Sequence, residues 1–344
     1  MIKKLLMLIS LLLVIAVGLA WAGYRMQQER MDRALPVEQV TPLHVENGTW
    51  FRQFANQLVA NGLLDDAVWL RAEAYLNPGV TRIKAGEYEI EPGMTLRQLL
   101  DKVVAGETVS HSFTLVEGMT FRQLRERLLA DDRLEHRLKE MDEQALLQAL
   151  GSEYTAIEGL FLAETYQFQR GTTDLQLLQR AHEDLEQVLE QAWAQRKEEL
   201  PYKTPYEVLI MASIIEKETA VPAERNQISG VFVRRLQRGM RLQTDPTVIY
   251  GMGERYRGNI TRADLRRPTP WNTYTIDGLP PTPIALVGRE AIAAAVTPEP
   301  GKALYFVAKG DGSHQFSNSL REHNNAVRRY QLQRRQDYRS TPQE

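Results

Sequence analysis

Between Leu5 and Tyr24 the chain carries no charged residue, and the run follows directly on Lys3-Lys4. About 20 consecutive apolar residues are what a helix needs to cross a bilayer, where backbone polar groups must be satisfied within the segment itself. Residues 1–24 therefore read as a cytoplasmic start and a transmembrane anchor, broken only by Ser10 and small residues. The lysines precede the apolar run, which keeps the N-terminus in the cytoplasm and exports everything after it. Ala20-Trp21-Ala22 resembles a signal-peptidase site, so cleavage is the alternative, although the run is long for a signal sequence. Both readings put the body outside the cytoplasm.

That body belongs to a chain of 344 residues with a formal net charge of −2 and no cysteine. The length allows two or three compact units. The scattered basic residues give no bias toward nucleic acid. Without cysteine there are no disulfides, thiolate nucleophiles or cysteine metal sites. The six histidines are dispersed and no H-E-x-x-H occurs, so neither a metal nor a cofactor is expected. A G-x-S-x-G elbow is also missing, which leaves serine nucleophilic catalysis unsupported. Gly251-Met252-Gly253 lacks the strand-then-helix setting of a nucleotide loop and reads as a turn.

Residues 25–47 are polar and contain Pro36 and Pro42, as a linker would. Residues 48–106 read as a small α+β module: helices at Trp50–Asn61, around Asp66–Tyr75 and at Thr95–Val104, with a strand at Thr81–Ile90. Gly93-Met94-Thr95-Leu96-Arg97-Gln98-Leu99 recurs 25 residues later as Gly118-Met119-Thr120-Phe121-Arg122-Gln123-Leu124. In each copy a strand ends, glycine turns the chain and threonine caps a helix. Residues 107–336 form a second, larger domain. Its first part is helical and charged, punctuated by an apolar patch from Glu158 to Tyr166. Ser229–Gln237 reads as an amphipathic helix closed by Gly239. Leu242–Tyr250, Asn272–Tyr274 and Gly278–Pro281 read as loops. Ala303–Ala308 and His314–Ser317 flank Lys309-Gly310-Asp311-Gly312, a hairpin signal. A last helix at about 321–336 runs into a polar tail, 337–344, expected to be disordered. The fold class is α+β.

One segment carries chemistry. In Thr204–Pro222, Thr204 can cap a helix, Pro205 suits its first position and Glu207 completes a capping box. Val208–Ile215 is almost wholly apolar, so the helix is expected to be buried. Glu216 and Glu218 follow, with Pro222 just beyond. At about 100° per residue Glu218 shares a face with Met211, Ile214 and Ile215. Partial desolvation and the negative end of the helix dipole both favour its neutral form. A carboxylic acid that stays protonated near neutral pH is what general-acid cleavage of a glycosidic bond requires. The competing reading is a solvated Glu-Lys-Glu charge run.

Glu164, Glu216, Glu218 and Asp245 are the acids set among apolar, aromatic or amide neighbours. Tyr250, Tyr256, Trp271 and Tyr274 cluster nearby in sequence with the amides Gln243 and Asn272, a composition that suits an extended sugar polymer. Each aromatic taken singly is as readily a core residue.

Ala212-Ser213-Ile214-Ile215-Glu216-Lys217-Glu218-Thr219, with Leu242–Tyr250, Asn272–Pro283 and Glu322-His323-Asn324, resembles the YceG-like (MltG) family of endolytic murein transglycosylases. The resemblance covers essentially all of the chain beyond the membrane segment. It implies a LysM-like module at 48–106 ahead of an α+β catalytic domain at 107–336. It also implies an inner-membrane, single-pass protein whose body faces peptidoglycan in the periplasm. The family's catalytic glutamate falls on Glu218. Glu164, Glu216, Gln243, Thr244, Asp245, Tyr250, Asn272 and Tyr274 are then candidates to bind substrate or support the acid. Two departures concern loop shape: Ala163 stands where the family often has proline, and Thr282 where it often has glycine.

The implied substrate is the glycan strand of nascent peptidoglycan, cut between N-acetylmuramic acid and N-acetylglucosamine to leave a 1,6-anhydro end and so terminate elongation. Peptidoglycan synthases are implied partners. One acid/base residue suffices, because the attacking hydroxyl belongs to the substrate. A hydrolytic muramidase would need a second carboxylate, for which Glu164 or Asp245 are the candidates. Glu216 points to a different helix face. A non-catalytic peptidoglycan-binding scaffold is the remaining alternative.

Overall fold

The computed structural model describes residues 2–332; the expected tail at 337–344, and the last residues of the expected final helix, lie outside them. The chain divides into two compact units, Met1–His111 with Gln167–Gly171, and Ser112–Tyr166 with Thr172–Glu344.

The first unit begins with α1 (Ile2–Met31). Among the described residues it is the one helix long and apolar enough to cross a membrane, and its apolar window is wholly unburied. Its far end does not fray into a linker. Gln27 and Met31 are buried, and Gln27 Nε2 donates to Trp69 O (2.8 Å) and Glu73 Oε2 (3.1 Å). Arg97 ties the next turn through Asp32 (2.7 Å) and Gln28 (2.6 Å). The remainder follows the order β1 (Thr41–Val45), α2 (Phe51–Ala60), α3 (Val68–Leu76), β2 (Gly86–Ile90) and α4 (Leu96–Ala105). β1 and β2 pair antiparallel with Leu43 opposite Tyr88. Alternate residues Tyr88 and Ile90 point into a core shared with Phe54, Leu58, Leu70 and Leu99, the period of two expected of a half-buried strand.

The second unit contains α5 (Phe121–Leu129), α6 (Glu143–Leu150), α7 (Asp174–Ala194), α8 (Pro205–Glu218) and α9 (Arg225–Gln237). After these come α10 (Asp245–Met252), α11 (Arg262–Arg266), α12 (Arg289–Val296) and α13 (Leu320–Val327). The short strands β3 (His111–Thr114) and β4 (Thr165–Phe168) pair with each other. So do β5 (Tyr305–Ala308) and β6 (His314–Ser317), antiparallel with Ala308 opposite His314, as the Lys-Gly-Asp-Gly turn signal predicts. A π-helical turn, Arg328–Leu332, follows α13.

The sequence echo has a clear local cause. Thr95 and Thr120 each accept the amide of the glutamine three residues on, and each glutamine returns a bond to the threonine amide (both 2.9 Å). Gly93 and Gly118 sit at φ 87° and 76°, where a side chain would be strained. The structure adds a third copy: Gly171 at φ 89° precedes Thr173, which forms the same box with Gln176 at the start of α7. G-x-T-x-x-Q is thus a recurrent strand-to-helix connector, and each cap contributes about 1 kcal/mol.

α8 begins as the sequence predicts, with Thr204 accepting Glu207 N and Pro205 at the first position. Glu207 reaches one residue further back than a capping box requires, accepting from Lys203 N (2.5 Å). All eight residues from Val208 to Ile215 are buried, because α7, α9, α10 and α12 surround the helix. The Leu242–Tyr250 segment departs from the loop expectation. Pro246 at the second residue starts a short helix, α10, against the end of α8.

Candidate active site

Glu218 is the last residue of α8, and Thr219 leaves the helix in extended conformation. The carboxyl is half-buried at the edge of a cavity of about 600 Å³, whose other walls include Gln243, Asp245, Tyr274, Tyr305, His314 and His323. The Thr244 hydroxyl donates to Glu218 Oε1. Burial pushes the Glu218 pKa up to about 7; the nearby Asp245 charge pushes the same way, while Thr244 and Arg235 oppose it. The balance keeps a substantial protonated fraction at neutral pH.

Thr244 is held from both sides. Its amide donates to Thr273 Oγ1 (3.0 Å), and its carbonyl accepts from Thr247 Oγ1 (2.8 Å). Thr247 and Thr273 share a hydroxyl–hydroxyl bond of 2.9 Å. These buried threonines lock the start of α10 onto the Asn272–Tyr274 loop. Gln243, just before, has φ 52°, the sole positive φ at a non-glycine residue among those described. Left-handed backbone at such a residue costs energy and is characteristic of sites where geometry is imposed.

Arg235 of α9 supplies the fixed charge behind the acid. Its Nε donates to Leu304 O (2.7 Å), and its Nη1 to Leu242 O (2.9 Å) and Arg241 O (3.1 Å). The guanidinium lies 5.0 Å from the Tyr305 ring centroid. One buried cation therefore joins α9, the approach to β5 and the segment carrying Gln243 and Thr244. It is not among the sequence candidates, since an arginine in a basic stretch looks like a solvated face. Its signal was its place between Val233 and Leu236.

Gln243, Thr244, Asp245 and Tyr274 do gather around Glu218. Tyr274 donates its hydroxyl to Asp245 Oδ1 (2.6 Å). The other candidates lie elsewhere. Asn272 is buried beneath its loop, with its amide donating to Asp264 O, Leu265 O and Arg267 O (2.7–3.2 Å). The Glu216 carboxylate accepts from Gly288 N (3.1 Å) at the start of α12 and lies 3.6 Å from Arg225. Glu164 is exposed and meets Arg289 at 3.4 Å. Tyr250 lines a different cavity.

His314 and His323, two of the dispersed histidines, both line the Glu218 cavity. His314 Nδ1 is 2.7 Å from Glu224 Oε2. His323 stacks on Tyr305 with ring centroids 5.2 Å apart. Burial and the Arg235 charge push its pKa down, which favours the neutral ring.

A buried helix thus ends in a protonatable acid beside an open cavity with polar and aromatic walls. The sequence model of the YceG-like family matches residues 43–329, and the chain belongs to that family. It is 30% identical over 270 residues to a Bacillus subtilis protein named endolytic murein transglycosylase, covering 73% of this chain and 74% of that one. A Streptococcus pneumoniae (strain D39) protein of the same name is 27% identical over 359 aligned positions; these take in 93% of this chain but only 64% of the longer relative. The crystal structure of a YceG-like protein from Listeria monocytogenes superposes with a TM-score of 0.51 at 28% identity, covering 84% of this chain and 99% of that one.

Proposed function

We propose that this protein is an endolytic lytic transglycosylase of peptidoglycan, with Glu218 as its single acid/base residue. The carrying observation is the Glu218 carboxyl, hydrogen-bonded by Thr244 at the cavity edge and pushed up to about pH 7 by burial. The names of the bacillary and streptococcal relatives support the substrate class.

In this reading the protonated carboxyl gives its proton to the glycosidic oxygen between N-acetylmuramic acid and N-acetylglucosamine, and the C1–O bond breaks. The resulting carboxylate takes the proton of the muramoyl 6-hydroxyl, whose oxygen bonds to C1. No water is consumed, and the new end is a 1,6-anhydro sugar. Glu218 returns to its protonated state, so no second carboxylate is required. Asp245 has a different part. Bonded to Tyr274, it favours the neutral form of Glu218 and shapes the cavity floor.

Residues 48–106 are read as a LysM-like glycan-binding module, supported by the α2–α3–β2 order there and by the antiparallel pairing of β2 with β1 just ahead of it. α1 is read as an inner-membrane anchor with the body in the periplasm, supported by the unburied apolar run and the preceding lysines. From there the enzyme would reach nascent strands and the synthases that make them. The test is incubation of purified glycan strands with wild type and Glu218→Gln. Cleavage by wild type and retained binding without cleavage by the variant support the reading. Strands bound but never cut by wild type would leave a scaffold.

A further inference from the structure

A second cavity, of about 720 Å³, is lined by Phe121, Glu158, Tyr250, Tyr256 and Trp271 among others. It is larger than the Glu218 cavity and falls within the range typical of small-ligand sites, about 300–1,000 Å³. The proposed chemistry uses none of these residues. Two pairs of consecutive residues separate the cavities: Lys217 and Pro246 line this one, while Glu218 and Asp245 line the other. The end of α8 and the start of α10 are therefore a shared ridge.

The aromatic walls are held in place. Trp271 Nε1 donates to Thr282 Oγ1 (2.9 Å), and Thr282 in turn donates to Pro283 O (2.8 Å). Glu158 is buried, accepts the Phe121 amide at the start of α5 (2.8 Å) and takes the Tyr250 hydroxyl as its second partner. The Tyr250 and Trp271 rings then meet edge to face, with centroids 5.5 Å apart at 66°. Both rings are only half-buried, so a ring face remains for a ligand. Aromatic faces fixed by hydrogen bonds, with apolar Ile157 and Ile284 beside them, suit the C–H faces and acetamido methyl of an N-acetylated pyranose.

We infer that this cavity is a second sugar-ring subsite, holding an N-acetylated pyranose of the same strand across the α8–α10 ridge from Glu218. The inference rests on the transglycosylase reading and extends it. Endolytic cutting requires strand on both sides of the scissile bond, and the ridge gives each side a cavity. Trp271 and Tyr250 are the contact residues; Thr282 and Glu158 position them.

The test measures binding of peptide-free glycan strands to the full chain carrying Glu218→Gln, so that bound strands survive. Adding Trp271→Leu is expected to raise Kd roughly tenfold, the scale of one lost aromatic contact. Adding Thr282→Val, which keeps the shape but frees the indole, is expected to raise it roughly threefold with little change in Tm, and this variant decides the matter if Trp271→Leu fails to fold. Unchanged affinity in Thr282→Val and in any folded Trp271→Leu protein overturns the subsite. A loss seen only with peptide-bearing strands assigns the cavity to the peptide stem and overturns the sugar assignment. Because the readout is binding, the subsite can stand even if wild type never cuts, in which case the catalytic reading alone fails.

Discussion

Thr244 donates its hydroxyl to Oε1 of Glu218 from a position that Thr247 and Thr273 hold in turn. One carboxyl oxygen is thereby occupied, and the other is left to carry the proton into the cavity. The bond also fixes which way the acid points. Thr244→Val should therefore lower kcat by about tenfold through lost orientation. It also removes an interaction that pulls the Glu218 pKa down, so the alkaline limb of the rate profile should move to higher pH. A steady-state pH profile of the variant reads both effects.

The wild-type pH profile follows from the same group. Glu218 must begin protonated, and its pKa is about 7, so activity should fall as pH rises through 7. Stability runs the same way. An acid whose folded pKa lies above its unfolded value binds more protons in the folded state, and this favours folding most below the unfolded pKa near 4.5. That contribution is lost as pH rises from there through about 7. Glu218→Gln should thus be more stable than wild type above pH 7, on the order of 1–2 kcal/mol, read as a higher Tm at pH 8 than wild type.

Asp245→Asn separates a single-acid mechanism from a two-carboxylate one. Removing the Asp245 charge lowers the Glu218 pKa, so the alkaline limb should shift to lower pH while cleavage persists. Loss of all activity at every pH would make Asp245 a participant in the chemistry.

Glu216→Gln is expected to leave kcat within about threefold and, because burial raises the Glu216 pKa despite Gly288 N and Arg225, to leave Tm at pH 8 unchanged or raised. Its amide can still accept Gly288 N, but Arg225 loses one of its two carboxylate neighbours, the other being Glu117. Thermal unfolding against turnover distinguishes this from a catalytic role.

Much of this site was legible in sequence because α8 is locally consistent. Thr204, Pro205 and the run to Ile215 define where the helix begins and how deeply it is buried, and helix phase then directs Glu218 rather than Glu216 toward the cavity. α10 was not legible in the same way. Eight residues with Asp-Pro at their start look like a turn until α8 supplies a surface to pack on. Asn272 illustrates a different limit: an amide next to aromatics reads as a sugar ligand, yet its hydrogen bonds hold a loop together. Glu158 was visible as an acid ahead of an apolar stretch. Only the fold brings it to the α5 amide and to Tyr250, more than ninety residues on. The third G-x-T-x-x-Q copy, Gly171 to Gln176, was present in sequence but lacked the flanking similarity of the other two.

The most direct measurement is mass spectrometry of the strand ends released from purified glycan by wild type and by Glu218→Gln. Glu218 acting alone predicts wild-type products one water lighter than hydrolytic ends, the mass of a 1,6-anhydro terminus, and a loss of at least about a hundredfold in their rate of formation for the variant. Reducing ends from wild type, or anhydro ends formed undiminished by Glu218→Gln, would contradict it.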